Sequence, residues 1–310
     1  MTGQAASPVP VRVRAPGKVN LALCVDRLGD DGYHRVISVF QAVSLYEDVL
    51  ASPADELSLT VAGLQAERVP TDATNLAWRA AELLAAHAGV EPAVALHIVK
   101  GVPTAGGMAG GSADAAAALV ACDALWRTNL PREELAELAA ELGSDVPFAL
   151  VGHTAVGTGR GHEVTAAMTL GEYHWALGLR DEGLSTAAVY GAFDDAGGGA
   201  GDWDDEPPTD LMQALRAGDP AALGATLRND LEEHAIALNP ALAEAVRVAR
   251  LAGALGVVVS GSGPTVAALG RSAQHALAIA AAMTAAGVVD DVATAVGGVP
   301  GARVVGGIGA

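Results

Sequence analysis

Pro103-Thr104-Ala105-Gly106-Gly107-Met108-Ala109-Gly110-Gly111-Ser112-Ala113-Asp114-Ala115-Ala116 is the stretch on which the reading of this chain turns. Four glycines fall within six residues. Upstream, Val94 to Val99 reads as a strand. Downstream, an Ala-rich helix is expected from about Ser112 to Trp126. A strand that ends in glycines and runs directly into a helix lets backbone N–H groups approach an anion, with the positive end of the helix behind them. Glycines alone also fit a flexible linker, and the immediate entry into a long helix argues against that reading.

The composition gives this loop its interest. The chain has 310 residues, with 36 acidic and 18 basic side chains and a net charge of −18. Such acidity excludes nucleic acid or an anionic membrane surface as the main partner, because both call for clustered Lys and Arg. Lysine occurs only at Lys18 and Lys100. A protein this short of lysine can still hold phosphate through backbone N–H groups and a helix N-terminus. Hydrophobic residues make up 51% of the chain and aromatics 4%, so the expected core is ample and built from Ala, Val and Leu. Two cysteines, Cys24 and Cys122, exclude a disulfide framework and a Cys-based metal site, and read as buried free thiols. Met1 to Lys18 lacks an apolar signal region, and the longest apolar run, Ala276 to Val289, is shorter than the roughly 20 residues of a membrane span. A cytoplasmic protein is expected.

Working outward from the loop, Val9 to Arg14 and Val19 to Val25 read as two strands separated by a tight turn, Ala15-Pro16-Gly17-Lys18. Leu28 to Tyr33 reads as a hairpin loop, with strands continuing over Val36 to Leu45 and Leu57 to Val61. Asn75 caps a helix, Leu76 to His87, that Gly89 stops. Pro131 opens another helix, closed near Gly143, and Ser144-Asp145 follow in a turn. Beyond about Gly152 the pattern changes to short strands and helices. It is broken by a low-complexity acidic stretch, Asp194 to Pro208, with Asp202, Asp204, Asp205 and Glu206, read as a mobile surface insertion. Helices are expected at Asp210 to Ala217, Pro220 to Leu227 and Pro240 to Ala252. A strand at Gly256 to Val259, a glycine turn at Ser260 to Pro264, a strand to Leu269, a helix at Ala273 to Ala286 and a strand at Asp291 to Val296 complete an alternating pattern of ferredoxin-like size.

The P-loop, the dinucleotide-binding G-x-G-x-x-G, H-E-x-x-H and G-x-S-x-G are all absent. Three separated segments do resemble the GHMP small-molecule kinases: Ala15-Pro16-Gly17-Lys18-Val19-Asn20, the Pro103 to Ala116 loop, and Val259-Ser260-Gly261-Ser262-Gly263-Pro264-Thr265. Asp31-Gly32-Tyr33-His34 and Leu142-Gly143-Ser144-Asp145-Val146-Pro147-Phe148 narrow the resemblance to the branch that acts on a cytidine-diphosphate-linked methylerythritol in the non-mevalonate route to isoprenoid precursors. The resemblance spans residues 12 to 270, with five segments in order.

The resemblance implies an α+β protein of two domains, an N-terminal α+β domain over residues 1–160 and a C-terminal ferredoxin-like domain over 161–310, with the active site in the cleft between them. It implies ATP-dependent phosphorylation of a hydroxyl, with ATP as co-substrate and Mg2+ carried on it. Lys18 and Asp145 match the catalytic pair, Asp145 as base and Lys18 as charge stabiliser. Pro103 to Ala113 match the ATP-wrapping loop. Asn20, Tyr33 and His34 match positions that hold the cytidine, with Tyr190 as a second ring. Asn229-Asp230-Leu231-Glu232 echoes a further family segment to which the sequence assigns no role. The chain departs from its wider relatives at Gly110 and Gly111, where they carry paired serines, one of which helps bind magnesium; the protein ligands of the metal are therefore left open. Ala109 stands for a common glycine and Ala113 for a common serine. Asp114, in the first helical turn, either aids the helix dipole or repels phosphate, according to where it points. Another GHMP enzyme, such as a homoserine, mevalonate-type or sugar kinase, is the alternative, followed by a non-catalytic nucleotide-binding protein.

Overall fold

The computed structural model describes residues 9–199 and 203–306. Residues 200–202 of the acidic stretch, Asp202 among them, and the first eight residues of the Met1 to Lys18 stretch lie outside them. Two sheets carry the architecture. The first contains β1 (Val11–Leu28), β2 (His34–Pro53), β3 (Ser58–Gly63), β4 (Val94–Lys100), β5 (Thr154–Thr158) and β6 (Glu163–Ala166). The second is formed by β7 (His174–Leu179) with β9 (Gly256–Val259), β10 (Val266–Gly270) and β11 (Asp291–Val296). Two short strands return to the first sheet from late in the chain: β8 (Arg228–Asn229) pairs with β1 in parallel, and β12 (Arg303–Val304) pairs with its other end antiparallel.

Four helices cover the first sheet: α1 (Leu76–Ala88), α2 (Gly110–Trp126), α3 (Arg132–Leu142) and α4 (Val146–Val151). The second half adds α5 (Thr186–Asp195), α6 (Thr209–Ala217), α7 (Pro220–Thr226), α8 (Glu232–Leu238), α9 (Ala241–Leu251) and α10 (Ala273–Ala285). The second sheet runs in the order β11-β7-β10-β9, all antiparallel, with helices between β7 and β9 and between β10 and β11. That is the ferredoxin-like arrangement expected from the sequence. The core divides the same way. Alanines of α1 and α2 pack on the first sheet, and α9 and α10 pack on the second. A third cluster, with Val19, Leu21, Trp175 and Leu177, fills the space between the sheets. Trp175 Nε1 donates to Gln41 Oε1 there at 2.9 Å, joining β7 to β2.

Three expectations need correction. Ala15 to Lys18 is not a turn: β1 passes straight through it, with a β-bulge between Pro16 and Gly17. The long partner strand β2 supplies pairing on both sides, so the Pro-Gly pair re-aims the strand instead of reversing it. α2 begins at Gly110, two residues before the expected start. The acidic stretch from Asp194 to Pro208 is not detached where it is described. Asp194 and Asp195 end α5, Arg35 on β2 pairs with Asp205 at 3.4 Å, and its guanidinium lies 5.6 Å from the Trp203 ring. Three helices, α4, α5 and α8, go beyond what the sequence pattern predicts.

Candidate active site

The bulge in β1 serves the glycine loop. Gly17 lies against it: a Cβ there would sit 3.1 Å from the Val102 side chain and 3.3 Å from Met108 O. Past the bulge, Lys18 stays in register with Ala42 of β2, and its N–H donates to Met108 O at 3.1 Å. The strand that carries Lys18 and the loop expected to cradle phosphate are thus joined by backbone.

The loop leads into α2 through Ala109, whose φ of 59° is left-handed, and no side chain caps the helix. Its first N–H groups are left facing a cavity of about 480 Å³ lined by Ala109, Gly110, Gly111 and Ser112. Gly107, at φ 73°, is where the second half of the chain closes in. A Cβ at that position would lie 2.2 Å from Ser260 O, so only glycine fits. Ser260 Oγ donates to Gly107 O at 3.1 Å and Thr265 N–H to Gly106 O at 3.3 Å. Gly261, Ser262 and Gly263 line the cavity opposite α2.

Lys18 and Asp145 meet at this cavity, with Lys18 Nζ 3.8 Å from Asp145 Oδ2. Lys18 is 4% exposed and donates to Asn20 Oδ1, while Asn20 Nδ2 donates to Ser38 Oγ at 2.7 Å. Burial holds the Lys18 ammonium below the ordinary lysine range, and the Asp145 carboxylate opposes that shift. Asp145 occupies the N-cap position of α4 without capping it, so its carboxylate is uncommitted and partly open to the cavity.

The residues expected to hold a base are split between two adjoining cavities. Asn20 and Tyr190 line the first. Tyr33 and His34 line a second, of about 560 Å³. The His34 and Tyr190 rings stand 5.0 Å apart, so α5 does bring the two together. Burial, and then the charge of Asp145, push the Tyr190 hydroxyl up to about 12. Tyr33 is 53% exposed, and the Arg160 guanidinium lies 3.6 Å from its ring centre. Arg160 lines both cavities and, with Lys18, is one of two cationic side chains on the first. Sequence reasoning misses it, because an isolated arginine after Gly159 carries no motif.

Within the glycine loop, Met108 and Ala113 are buried and face the core, leaving their backbone on the loop side. Thr104 N–H donates to Gln65 Oε1 at 3.0 Å. Asp114 answers the question its position raised: it faces neither phosphate nor solvent but is buried against Lys100.

Asn229-Asp230-Leu231-Glu232 acquires a role. Asn229 Nδ2 donates to Val259 O at 2.8 Å and Gly261 O at 2.7 Å, Glu232 accepts from Val259 N–H at 2.8 Å, and Asp230 accepts from Val25 N–H at 2.8 Å. The segment braces the Gly261 loop against β1. A short run of Asn, Asp and Glu after a strand-like pair was the available signal.

For a metal, the described residues bring together no group of three carboxylate, imidazole or thiol ligands. Ser112, at the start of α2, and Asp145 are among the hard-oxygen side chains on the cavity wall, with Ser144 beside Asp145. That donor set suits a magnesium ion that keeps most of its shell from phosphate and water.

Comparison with known proteins identifies the family. The family model described as GHMP kinases N terminal domain matches residues 75–153, and that described as GHMP kinases C terminal matches residues 211–289. A 4-diphosphocytidyl-2-C-methyl-D-erythritol kinase of Thermobifida fusca (strain YX) is 52% identical over 309 residues, covering 96% of this chain and 99% of that protein. Its namesake from Mycobacterium tuberculosis (strain ATCC 25618 / H37Rv) is 51% identical over 302 residues, covering 95% and 93%. Among solved structures, a 4-(cytidine 5'-diphospho)-2C-methyl-D-erythritol kinase superposes with a TM-score of 0.74 at 31% identity, over 93% of this chain and 99% of that one. A homoserine kinase from Cytophaga hutchinsonii shares the fold, with a TM-score of 0.68 at 20% identity over 98% and 99% of the two chains.

Proposed function

The chain belongs to the GHMP kinases, in the branch of the 4-diphosphocytidyl-2-C-methyl-D-erythritol kinases, and we propose that it transfers the γ-phosphoryl group of ATP to a hydroxyl of that CDP-linked methylerythritol. The step belongs to the non-mevalonate route to isoprenoid precursors, and a cytoplasmic location goes with it. The observation that carries the reading is an uncommitted carboxylate, Asp145, 3.8 Å from a buried ammonium, Lys18, beside an uncapped helix N-terminus.

Phosphoryl transfer asks chiefly for positioning and charge stabilisation. The α2 N-terminus and the Pro103 to Ala113 backbone hold the triphosphate. Asp145 accepts the hydroxyl proton as the oxygen attacks the γ-phosphorus and the bond to the ADP oxygen breaks. Lys18 draws charge toward itself, lowering the pKa of that hydroxyl and stabilising the transferring group. Asn20 keeps the ammonium in place. Tyr33, His34 and Tyr190 receive the cytidine end. Ser112 and Asp145 would be the side chains to touch the shell of a magnesium ion carried on ATP, which would supply neutralisation of phosphate charge. No helix among the described residues is long and apolar enough to cross a membrane.

The test supplies ATP, Mg2+ and the CDP-linked alcohol to purified protein and measures ADP and phosphorylated product. Turnover, with CDP competing against the alcohol, is the expected result. Turnover of homoserine, mevalonate or a sugar in its place overturns the substrate assignment.

A further inference from the structure

The chain's second lysine sits outside the mechanism just described. Lys100 ends β4, immediately before the glycine loop, and Asp114 lies in the first turn and a half of α2, immediately after it. Both are buried, and they meet: Lys100 Nζ stands 2.5 Å from Asp114 Oδ2 and 2.7 Å from Glu47 Oε1. Glu47, 0% exposed on β2, uses its other oxygen to accept Gly101 N–H at 3.0 Å. A Cβ on Gly110, where α2 starts, would come within 3.0 Å of Glu47 Oε1. Three ionisable side chains from three elements therefore converge on the two ends of one loop.

Burial of such a cluster is costly, and hydrophobic residues of the same volume fill a core as well or better. Its retention beneath this loop calls for a reason specific to the loop. The glycines that let backbone N–H groups reach phosphate also leave the loop without side chains to hold its shape, and two of its residues, Ala105 and Ala109, sit in a left-handed conformation that L side chains disfavour. An ion cluster with short, directional contacts supplies what the glycines cannot. Burial, reinforced by the charge of Asp114, raises the Glu47 carboxyl to about 8, so the cluster carries a proton near neutrality and approaches zero net charge behind the phosphates.

We propose that Glu47, Lys100 and Asp114 are positioning residues for the nucleotide: they tie the end of β4 to the start of α2 and so hold the N–H groups of the glycine loop at phosphate-binding geometry. The inference rests on the kinase reading, and it assigns the three residues no contact with either substrate.

The experiment measures binding of Mg·ADP and, separately, of CDP by calorimetry to the whole protein and three variants. Glu47→Asp keeps the acid but shortens its reach by one methylene, and Asp114→Ala removes the contact to α2. Each is expected to weaken Mg·ADP at least about 10-fold while leaving CDP within about 2-fold. Asp114→Asn still offers an oxygen to Lys100, since Asp114 Oδ1 has no hydrogen-bond partner to lose. It is expected to bind Mg·ADP within about 3-fold of wild type even where its melting temperature falls. Folded Glu47→Asp that binds Mg·ADP as wild type does overturns the proposal, as does equal weakening of both ligands. Glu47→Asp carries the test if Asp114→Ala does not fold. Wild-type protein that binds neither Mg·ADP nor CDP sinks the kinase reading itself, an outcome distinct from either of these.

Discussion

Lys18 Nζ and Asp145 Oδ2 face each other at 3.8 Å, within ion-pair range but too far apart for a hydrogen bond. The ammonium donates instead to Asn20, and the carboxylate is left with an open side on the cavity. A pair held slightly apart in this way has room for a hydroxyl that gives its proton to one partner while the other stabilises the charge left behind.

Asp145→Asn and Lys18→Met are each expected to lower kcat by about 100-fold or more, the scale of a lost base or charge-stabilising group. Mg·ADP affinity should change little in Lys18→Met, because the loop, α2 and Asp145 are untouched. Steady-state kinetics with parallel nucleotide titrations check both parts, and near-normal kcat in both variants removes the pair from the mechanism.

The pH dependence of kcat follows from the buried ammonium. Lys18 must be charged to act, and burial places its pKa below the ordinary lysine value of 10.5. The rate is therefore expected to fall as pH rises, with the alkaline limb beginning below that value. A rate that holds level to pH 10.5 contradicts the assigned charge state.

Two glycines at positive φ separate close approach from turn geometry. Gly107→Ala forces a Cβ to within 2.2 Å of Ser260 O, whereas a methyl group on Gly32, at φ 78°, would meet nothing within 4 Å. Gly107→Ala is expected to cost about 2–4 kcal/mol and much of the nucleotide affinity, and Gly32→Ala about 1 kcal/mol with affinity intact. Denaturant titration with nucleotide binding on the same samples distinguishes them.

Stability should also report the Glu47 proton. Between the ordinary glutamate range near 4.5 and about 8, the folded chain keeps a proton that the unfolded chain has released. Folding then binds protons, so the unfolding free energy falls as pH rises across that window, by at most about 1.4 kcal/mol per pH unit. In Glu47→Gln this slope is expected to flatten. Urea midpoints at pH 5.5, 7 and 8.5 give the comparison, and parallel slopes for the two proteins count against the shared proton.

Legibility in the sequence followed the locality of the signal. Asn75 and Gly89 bound α1 as their capping chemistry requires, and Asp291 to Val296 alternates clearly enough to be found at its true ends. The order of strands in the second sheet was not readable, although the run of elements that produces it was. Pro16-Gly17 misled, because a bulge and a turn draw on the same residues and only the length of the partner strand tells them apart. In the site, Lys18, Asp145 and the glycine loop stood in recognisable segments. Arg160, Glu47 and the bracing of the Gly261 loop did not, because each owes its position to a residue far away in the chain. Glu47 meets Lys100 only after β2 and β4 have paired.

The short pairing of β12 with β1, Val13 opposite Val304, bears on how the protein is made. β1 precedes its edge partner by roughly 290 residues, so one edge of the first sheet waits for a strand that emerges much later. During that interval the Val11 end of β1 is an open template for a neighbouring chain. Arg12 and Arg14, paired with Asp48, place charge along that edge. Charge of this kind along a strand edge disfavours pairing with another chain, so the edge that β12 covers last also carries the side chains that make it a poor template.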